Sequence, residues 1–299
     1  MSLSVIVLTY NEELHIERCV KSLQSFATEI FIVDSFSTDK TVQIAENLGA
    51  KVYQNKWLNN HSVQFNWGLA NCPIKTEWVM RVDADEYVMP DLANEIRCKL
   101  DNMKDDVAGI YLKRRVYFMG KWIKHGGCYP IELLRIWRHG KGFCEDRWMD
   151  EHIKLIEGKS IKLEHDFVDH NLKSLSAWVD KHNYYATRES ADLLNMIYGF
   201  KKDDDVEPIF SGSQAQRKRW LKIKYSKMPL FIRPFLYFQY RYFIRLGFLD
   251  GKQGLVWCFL QGFWYRFLVD SKLYEIYLKT GKDQKKILSC LQNEYDITF

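Results

Sequence analysis

Trp78-Val79-Met80-Arg81-Val82-Asp83-Ala84-Asp85-Glu86 is the stretch on which the fold turns. The run up to Val82 reads as a buried strand, and the acids that follow fall where this strand emerges into a loop. In an open α/β sheet, ligands collect outside the carboxyl ends of the strands, and two acids spaced i, i+2 on extended backbone point the same way. At an effective dielectric near 20 and about 6 Å apart, two anions repel by roughly 3 kcal/mol. The pair needs a cation, and a divalent metal carrying a diphosphate is the economical one. The competing reading is a solvated turn or the first turn of a helix, where acids are also favoured.

The segments upstream supply a sheet for that strand. Ser4 to Leu8 predicts a strand, leading through Thr9-Tyr10-Asn11-Glu12 into a helix with Ile16, Cys19, Val20 and Leu23 at helical spacing. Ile30-Phe31-Ile32-Val33 predicts a second strand, ending at Asp34 before a helix with Val42, Ile44, Ala45 and Leu48, closed by Gly49. Val52-Tyr53 reads as a short third strand, Ser62 to Asn71 as a helix, and Pro90 as the start of another. Such alternation predicts a parallel sheet covered by helices. Beyond residue 107 the pattern changes: Gly109 to Phe118 and Leu133 to Trp137 read as strands, and residues 171–200 as helical.

Composition narrows the class. The 299 residues are 47% hydrophobic, enough for a large core. Seven scattered cysteines without Cys-x-x-Cys or zinc spacing predict reduced thiols and a cytoplasmic protein. The amino terminus has no basic region ahead of its short apolar run and reads as the first strand, not a signal peptide. Residues 214–252 carry ten Lys and Arg against Asp250 alone, so this one segment outweighs the net charge of +5 and leaves the remainder acidic.

At the nucleotide end, the first loop lacks Gly-x-Gly-x-x-Gly, and Glu12 and Glu13 would repel a phosphate there, which argues against a nicotinamide or flavin enzyme. Asp34 offers an acceptor to a base or ribose, and Tyr10 a face for stacking. Asp34 reads equally well as a turn or N-cap acid.

Thr9-Tyr10-Asn11-Glu12, Asp34-Ser35-Phe36-Ser37-Thr38-Asp39-Lys40-Thr41, Gln64-Phe65-Asn66-Trp67-Gly68-Leu69 and Trp78 to Glu86 together resemble the family 2 glycosyltransferases of the GT-A fold. The bacterial lipopolysaccharide-core and surface-glycan glucosyltransferases are the subgroup they resemble. Gly247-Phe248-Leu249-Asp250-Gly251 extends the resemblance to about residues 3–275. It implies an α/β, Rossmann-like mixed sheet with helices on both faces over residues 1–200; the charged run Lys201-Lys202-Asp203-Asp204-Asp205 predicts a mobile loop over 201–213, and the basic and aromatic composition beyond it a helical membrane-associating or oligomerisation region over 214–299. The resemblance also implies a UDP-sugar donor held by Thr9, Tyr10, Asn11, Glu12, Asp34, Asn66, Asp83 and Ala84. Asp85 and Asp83 would ligate Mn²⁺ or Mg²⁺, with His170 completing the metal shell. One position departs from the pattern: Phe65 stands where relatives commonly carry Arg, so another Lys or Arg has to replace that contact. Arg135 is a candidate for a phosphate or acceptor contact.

Inverting transfer needs a carboxylate to take the acceptor's proton on the sugar face opposite the leaving diphosphate. By residue type, Glu145-Asp146 and Asp150-Glu151 both qualify. Matched to the family, Arg135-Ile136-Trp137-Arg138 followed by Asp150-Glu151-His152 resembles the stretch that ends in His-Glu. That register implies Glu151 as the base, with Asp150 as an anionic neighbour.

Met228 to Leu249 and Gly254 to Val269 are apolar and aromatic but interrupted by Arg233, Arg241, Arg245 and Arg266, so neither suits a bilayer span. Both suit a membrane interface, where each Lys or Arg near an anionic leaflet contributes about 1 kcal/mol. Packing onto the rest of the protein or onto a second subunit is the alternative. A single-stranded nucleic-acid surface is disfavoured, because no nucleic-acid-binding motif accompanies the segment and the rest of the chain is acidic.

The expected function is transfer of a hexose, most simply glucose from UDP-glucose, to a lipid-linked or lipopolysaccharide-core glycan at the cytoplasmic face of the inner membrane. A nucleotidyltransferase that builds nucleotide sugars and a non-catalytic glycan-binding module on the same fold are the alternatives.

Overall fold

The computed structural model describes all residues except Met1, Asn59, residues 146–150 and 201–208, Ser213 and Phe299. Asp146 and Asp150, both candidate acids, lie outside the described residues, as does most of the expected loop over 201–213. The chain divides into two compact units, one of residues 1–124, 128–146 and 151–173, the other of residues 125–127, 147–150 and 174–299.

The first unit is built on a nine-stranded mixed sheet. Its first half alternates as expected: β1 (Leu3–Thr9), α1 (Ile16–Leu23), β2 (Glu29–Asp34), α2 (Thr41–Asn47), β3 (Lys51–Gln54), α3 (His61–Asn71) and β4 (Trp78–Asp83). After it come β5 (Glu86–Val88), α4 (Pro90–Leu100), β6 (Val107–Phe118), β7 (Lys121–Ile123), β8 (Ile131–Arg138) and β11 (Lys159–His170). Between β8 and β11, β9 (Gly142–Cys144) and β10 (Ile153–Leu155) form a separate antiparallel pair. The strand order is β3-β2-β1-β4-β8-β6-β11-β5, with β7 on β6. The first four strands are parallel, β8 runs against β4, and β11 runs parallel to β6.

Side-chain alternation builds a core on each face of this sheet. Val5, Val7, Ile30 and Ile32 pack with α1 and α4 on one side, while Ile6, Phe31 and Val33 pack with Phe65 and Trp137 on the other. Helix α3 lies so close to β2 that a Cβ at Gly68 would stand 2.8 Å from Val33 Cγ2. The mixed sheet covered on both faces is the GT-A architecture expected from the sequence.

An acid outside the sheet's carboxyl edge ties α4 to β11. Glu95 accepts the backbone N–H groups of Glu164 (3.0 Å) and His165 (3.0 Å) and the ammonium of Lys99 (2.7 Å). Burial pushes its carboxyl up, but Lys99 and the two N–H groups outweigh it and hold it at about 2. A depressed carboxylate stabilises the fold above its unfolded value of about 4.3 and loses that contribution as pH falls toward 2. Glu95→Gln is expected to cost about 1–2 kcal/mol at pH 7, with the deficit vanishing near pH 2; urea melts at the two pH values measure it.

The second unit is helical: α5 (Leu175–Tyr198), α6 (Gln214–Ser226), α7 (Ile232–Gln239), α8 (Gly251–Trp257), α9 (Tyr265–Thr280) and α10 (Gln284–Tyr295), with π-helical turns at Tyr240–Ile244 and Cys258–Trp264. Helix α5 packs its Ala186, Leu193 and Leu194 with Tyr265, Val269 and Leu273 of α9, within the compact unit that includes residues 174–299. All seven cysteines are free, and all but Cys98 are buried. No helix among the described residues is long and apolar enough to cross a membrane.

Candidate functional site

Three adjacent parallel strands deliver the candidate residues to one edge. Thr9 pairs with Asp34 across β1 and β2, and Leu8 with Asp83 across β1 and β4, so Thr9, Asp34 and Asp83 stand side by side at the strands' carboxyl ends. This is the location at which open α/β sheets bind ligands.

Asp34 is fully buried. Its carboxylate accepts Thr9 Oγ1 (2.9 Å), Ser37 Oγ (2.5 Å) and the Ser37 backbone N–H (2.8 Å). The turn-acid reading therefore holds in this structure, with Asp34 bracing the loop that a base would meet. Tyr10 and Phe36 are both more than half exposed beside it, at 58% and 53%, and offer two aromatic faces. Asn11 sits at φ +53° and accepts the Thr38 N–H at 2.8 Å, joining the two loops. Glu12 is engaged by His15 (2.6 Å) and Lys173 (2.8 Å).

The acidic cluster is neutralised by arginines. Arg81, in the middle of β4, directs Nε to Asp83 (3.2 Å) and Nη2 to Glu151 (3.2 Å), with its guanidinium 5.4 Å from the centre of the Phe65 ring. Arg135, from β8, reaches Glu86 at 2.6 Å and Asp83 at 3.4 Å. Burial pushes Asp83 up, but the Arg81 and Arg135 charges outweigh it and hold the carboxyl well below the usual range. Glu86 is pushed up, by burial and by the Asp83 and Asp169 charges, against the pull of Arg135. Arg135 is buried within this network, its guanidinium paired with the Glu86 and Asp83 carboxylates. Asn66 is also committed to the fold, since its amide donates to Cys144 O (2.8 Å) and accepts the Cys144 N–H (2.9 Å), clamping α3 to β9.

Glu151 follows the undescribed residues 146–150 and is mostly buried against Arg81, its side chain 14% exposed. The next residue, His152, is fixed by exchange with Glu145, whose carboxylate accepts the His152 N–H at 3.0 Å and whose own N–H donates to His152 O at 2.9 Å. Glu145 is thus tied to His152, and Glu151 is the acid brought to Arg81.

A hard divalent cation fits Asp85 better than the expected trio. Asp85 accepts Asn171 Nδ2 at 3.0 Å through one carboxylate oxygen, while the other has no partner among the described residues. Carboxylate oxygen suits Mg²⁺ or Mn²⁺. Asp83 is occupied by guanidinium groups. His170 faces Arg18 Nη1 through Nδ1 at 3.2 Å, and because a guanidinium only donates, the imidazole's lone pair is already used. Burial and the Arg18 charge also push the His170 ring down, keeping it neutral. No group of three His, Cys, Asp or Glu side chains among the described residues stands ready to hold a metal, so Asp83, Asp85 and His170 do not form a preassembled set.

Sequence reasoning overlooked Arg81, Phe36, Arg18 and Asn171. Arg81 carried a legible signal, a cation in the middle of an otherwise apolar strand. Arg18 had none, because its partners, the carbonyls of Asp85 and His170, are distant in the chain.

Comparison with known proteins adds independent findings. Residues 4–152 match the pattern described as glycosyl transferase family 2. The chain is 43% identical over 94 residues to an uncharacterised glycosyltransferase of Rickettsia bellii, a match that takes in 31% of this chain and about a third of that protein (31%). It is 28% identical over 291 residues to the lipopolysaccharide core biosynthesis glycosyltransferase LpsC of Rhizobium meliloti, covering 92% of this chain and 93% of the relative. Among solved structures, a mannosyltransferase of Pyrobaculum calidifontis in complex with GDP-Man and Mn²⁺ is similar at a TM-score of 0.48 and 15% identity, over 91% of this chain and 86% of that one.

Proposed function

The chain belongs to glycosyl transferase family 2, and from that premise we propose that it moves a hexose, most simply glucose from UDP-glucose, to a lipid-linked or lipopolysaccharide-core glycan with inversion. The observation that carries this reading is the convergence of Thr9, Asp34 and Asp83 at three neighbouring strand ends, with Glu151 joined to Asp83 through Arg81. Tyr10 and Phe36 supply stacking faces for the uracil ring beside the loop that Asp34 braces. Asp85 would hold Mn²⁺ or Mg²⁺, which supplies charge neutralisation for the departing diphosphate.

Glu151 takes the proton from the acceptor hydroxyl as its oxygen attacks the anomeric carbon. The bond to the donor diphosphate breaks on the opposite face, and UDP leaves with the bonding pair. Attachment to the cytoplasmic face of the inner membrane would bring a lipid-linked acceptor within reach. The likeness to LpsC supports the choice of acceptor.

Thermal shift tests the donor and metal assignments together. UDP with Mn²⁺ is expected to raise the melting temperature, as a ligand of the native state must, and UDP alone is expected to raise it much less. Asp85→Ala is expected to abolish the metal-dependent part while leaving the unliganded melting temperature near that of the parent. An unchanged metal-dependent shift in Asp85→Ala would remove Asp85 from the metal role.

A further inference from the structure

Helix α7 and the π-helical turn after it are inside out. Arg233 and Arg241 point inward and are buried, Arg233 to 1% exposure. Arg233 donates to Asp270 Oδ1 through Nε (2.8 Å) and Nη2 (2.5 Å) and to Ser226 O through Nη1 (2.9 Å). Arg241 Nε donates to Gly126 O at 2.8 Å. The outward stripe, at helical spacing, is apolar: Ile232, Phe235, Leu236, Tyr240, Phe243 and Ile244, the last at 71% exposure. A helix in a purely aqueous setting puts its apolar stripe inward and its charges outward. Here the polarity is reversed, and an exposed apolar patch of this extent marks an interaction surface.

The stripe continues into a rigid turn. Leu246, Phe248 and Leu249 are also exposed around the short helical turn Gly247–Asp250. Leu246 stands at φ +58°, and Phe231, just ahead of α7, at φ +67°. Bulky residues are held in left-handed conformations only where the surroundings over-determine them. The surroundings do so here: His125 donates its backbone N–H (2.7 Å) and faces its ring nitrogen (2.8 Å) to the Asp250 carboxylate, and Gly126 N–H donates to Arg245 O at 2.8 Å. Arg245, Lys227 and Lys252 are exposed around the stripe, with no carboxylate within ion-pair distance of any of them among the described residues. Apolar side chains flanked by unpaired cations match the boundary between acyl chains and anionic headgroups.

We propose that the outward stripe of residues 232–249 is the surface by which this chain docks on an anionic bilayer, Phe243, Ile244 and Leu249 entering the acyl boundary and Arg245 and Lys252 meeting lipid phosphates. This names the residues behind the membrane attachment in the proposed function and rests on that reading for its purpose only.

Flotation of the full chain with vesicles tests it. The chain is expected to float with vesicles of phosphatidylcholine containing about a third phosphatidylglycerol, and to bind pure phosphatidylcholine about tenfold less or weaker. The double variant Phe243→Ser/Ile244→Ser is expected to lose about tenfold or more on the anionic vesicles, and Arg245→Glu/Lys252→Glu to lose both affinity and salt sensitivity. Each variant is also measured for its thermal shift with UDP and Mn²⁺. That shift should match the parent's, which separates failed docking from misfolding and from failure of the transferase reading. Equal flotation of parent and Phe243→Ser/Ile244→Ser would overturn the proposal. So would a dimer in light scattering that the same variant dissociates, with no vesicle binding by the parent, because the stripe would then be an interface between copies.

Discussion

Glu151→Gln is expected to stop sugar transfer while leaving UDP binding intact. The substitution keeps the size of the side chain and a carbonyl oxygen that still accepts from Arg81 Nη2, so position 151 retains its anchor. It removes the carboxylate to which the proposed mechanism gives the acceptor's proton. General-base catalysis by a positioned side chain contributes about 10²–10⁴-fold, and turnover should fall by that range without change in the thermal shift with UDP and Mn²⁺. Near-full activity would move the base to Asp150, which adjoins it in the chain, or to Glu145. A parallel loss of UDP binding would mean that Glu151 builds the donor site and does not act on the acceptor.

Arg81→Met is expected to damage both stability and turnover. The guanidinium is nearly buried and serves two carboxylates at 3.2 Å each, so its removal leaves two acids with too little compensating charge. Breaking a buried pair by removing one partner costs about 3–5 kcal/mol. Because the Asp83 side chain keeps 35% exposure, a loss of about 3 kcal/mol at pH 7 is the reasonable scale. The sign of the pH dependence follows from Asp83, whose carboxyl is held well below its ordinary value by Arg81 and Arg135 against the opposing effect of burial. A depressed carboxylate contributes stability above about pH 4, its unfolded value, and loses it as pH falls further. The deficit of Arg81→Met should therefore be greatest near neutrality and shrink below pH 4. A deficit that stays constant from pH 7 to pH 3 would show that Arg81 matters for packing on Phe65 and not for charge. Arg81→Lys should recover part of the stability but less of the turnover, since an ammonium cannot fork between Asp83 and Glu151.

The first half of the fold was legible because its signals are local. Strands β1, β2 and β4 are apolar runs that end at polar loops, and α1 keeps a regular apolar stripe of Ile16, Cys19, Val20 and Leu23. Strand β11 was not legible. Its twelve residues include Lys159, Lys162, Glu164, His165, Asp166 and Asp169, and what makes them a strand is pairing with β6, some fifty residues earlier. The site was legible in part for the same reason. Thr9, Asp34 and Asp83 share an edge because the strands that carry them are neighbours, a consequence of the alternation itself. The cation demanded by the acidic cluster was read as a metal, whereas guanidinium groups from positions 81 and 135 already meet Asp83. One of those lay inside the stretch that decided the fold; the other arrives from β8 through antiparallel pairing that no local pattern announces. Asn66 and Arg135, expected to contact ligand, also make bonds within the protein, to Cys144 and to Glu86.

A single counter-ion shared by Asp83 and Glu151 means that the two carboxylates are not energetically independent. Whatever changes the electrostatic demand that Asp83 makes on Arg81 changes what remains for Glu151, and linkage requires the converse by the same amount. Under the proposed roles of Asp83 and Glu151, donor occupancy and acceptor activation would be two readings of one balance, with Arg81 as its pivot.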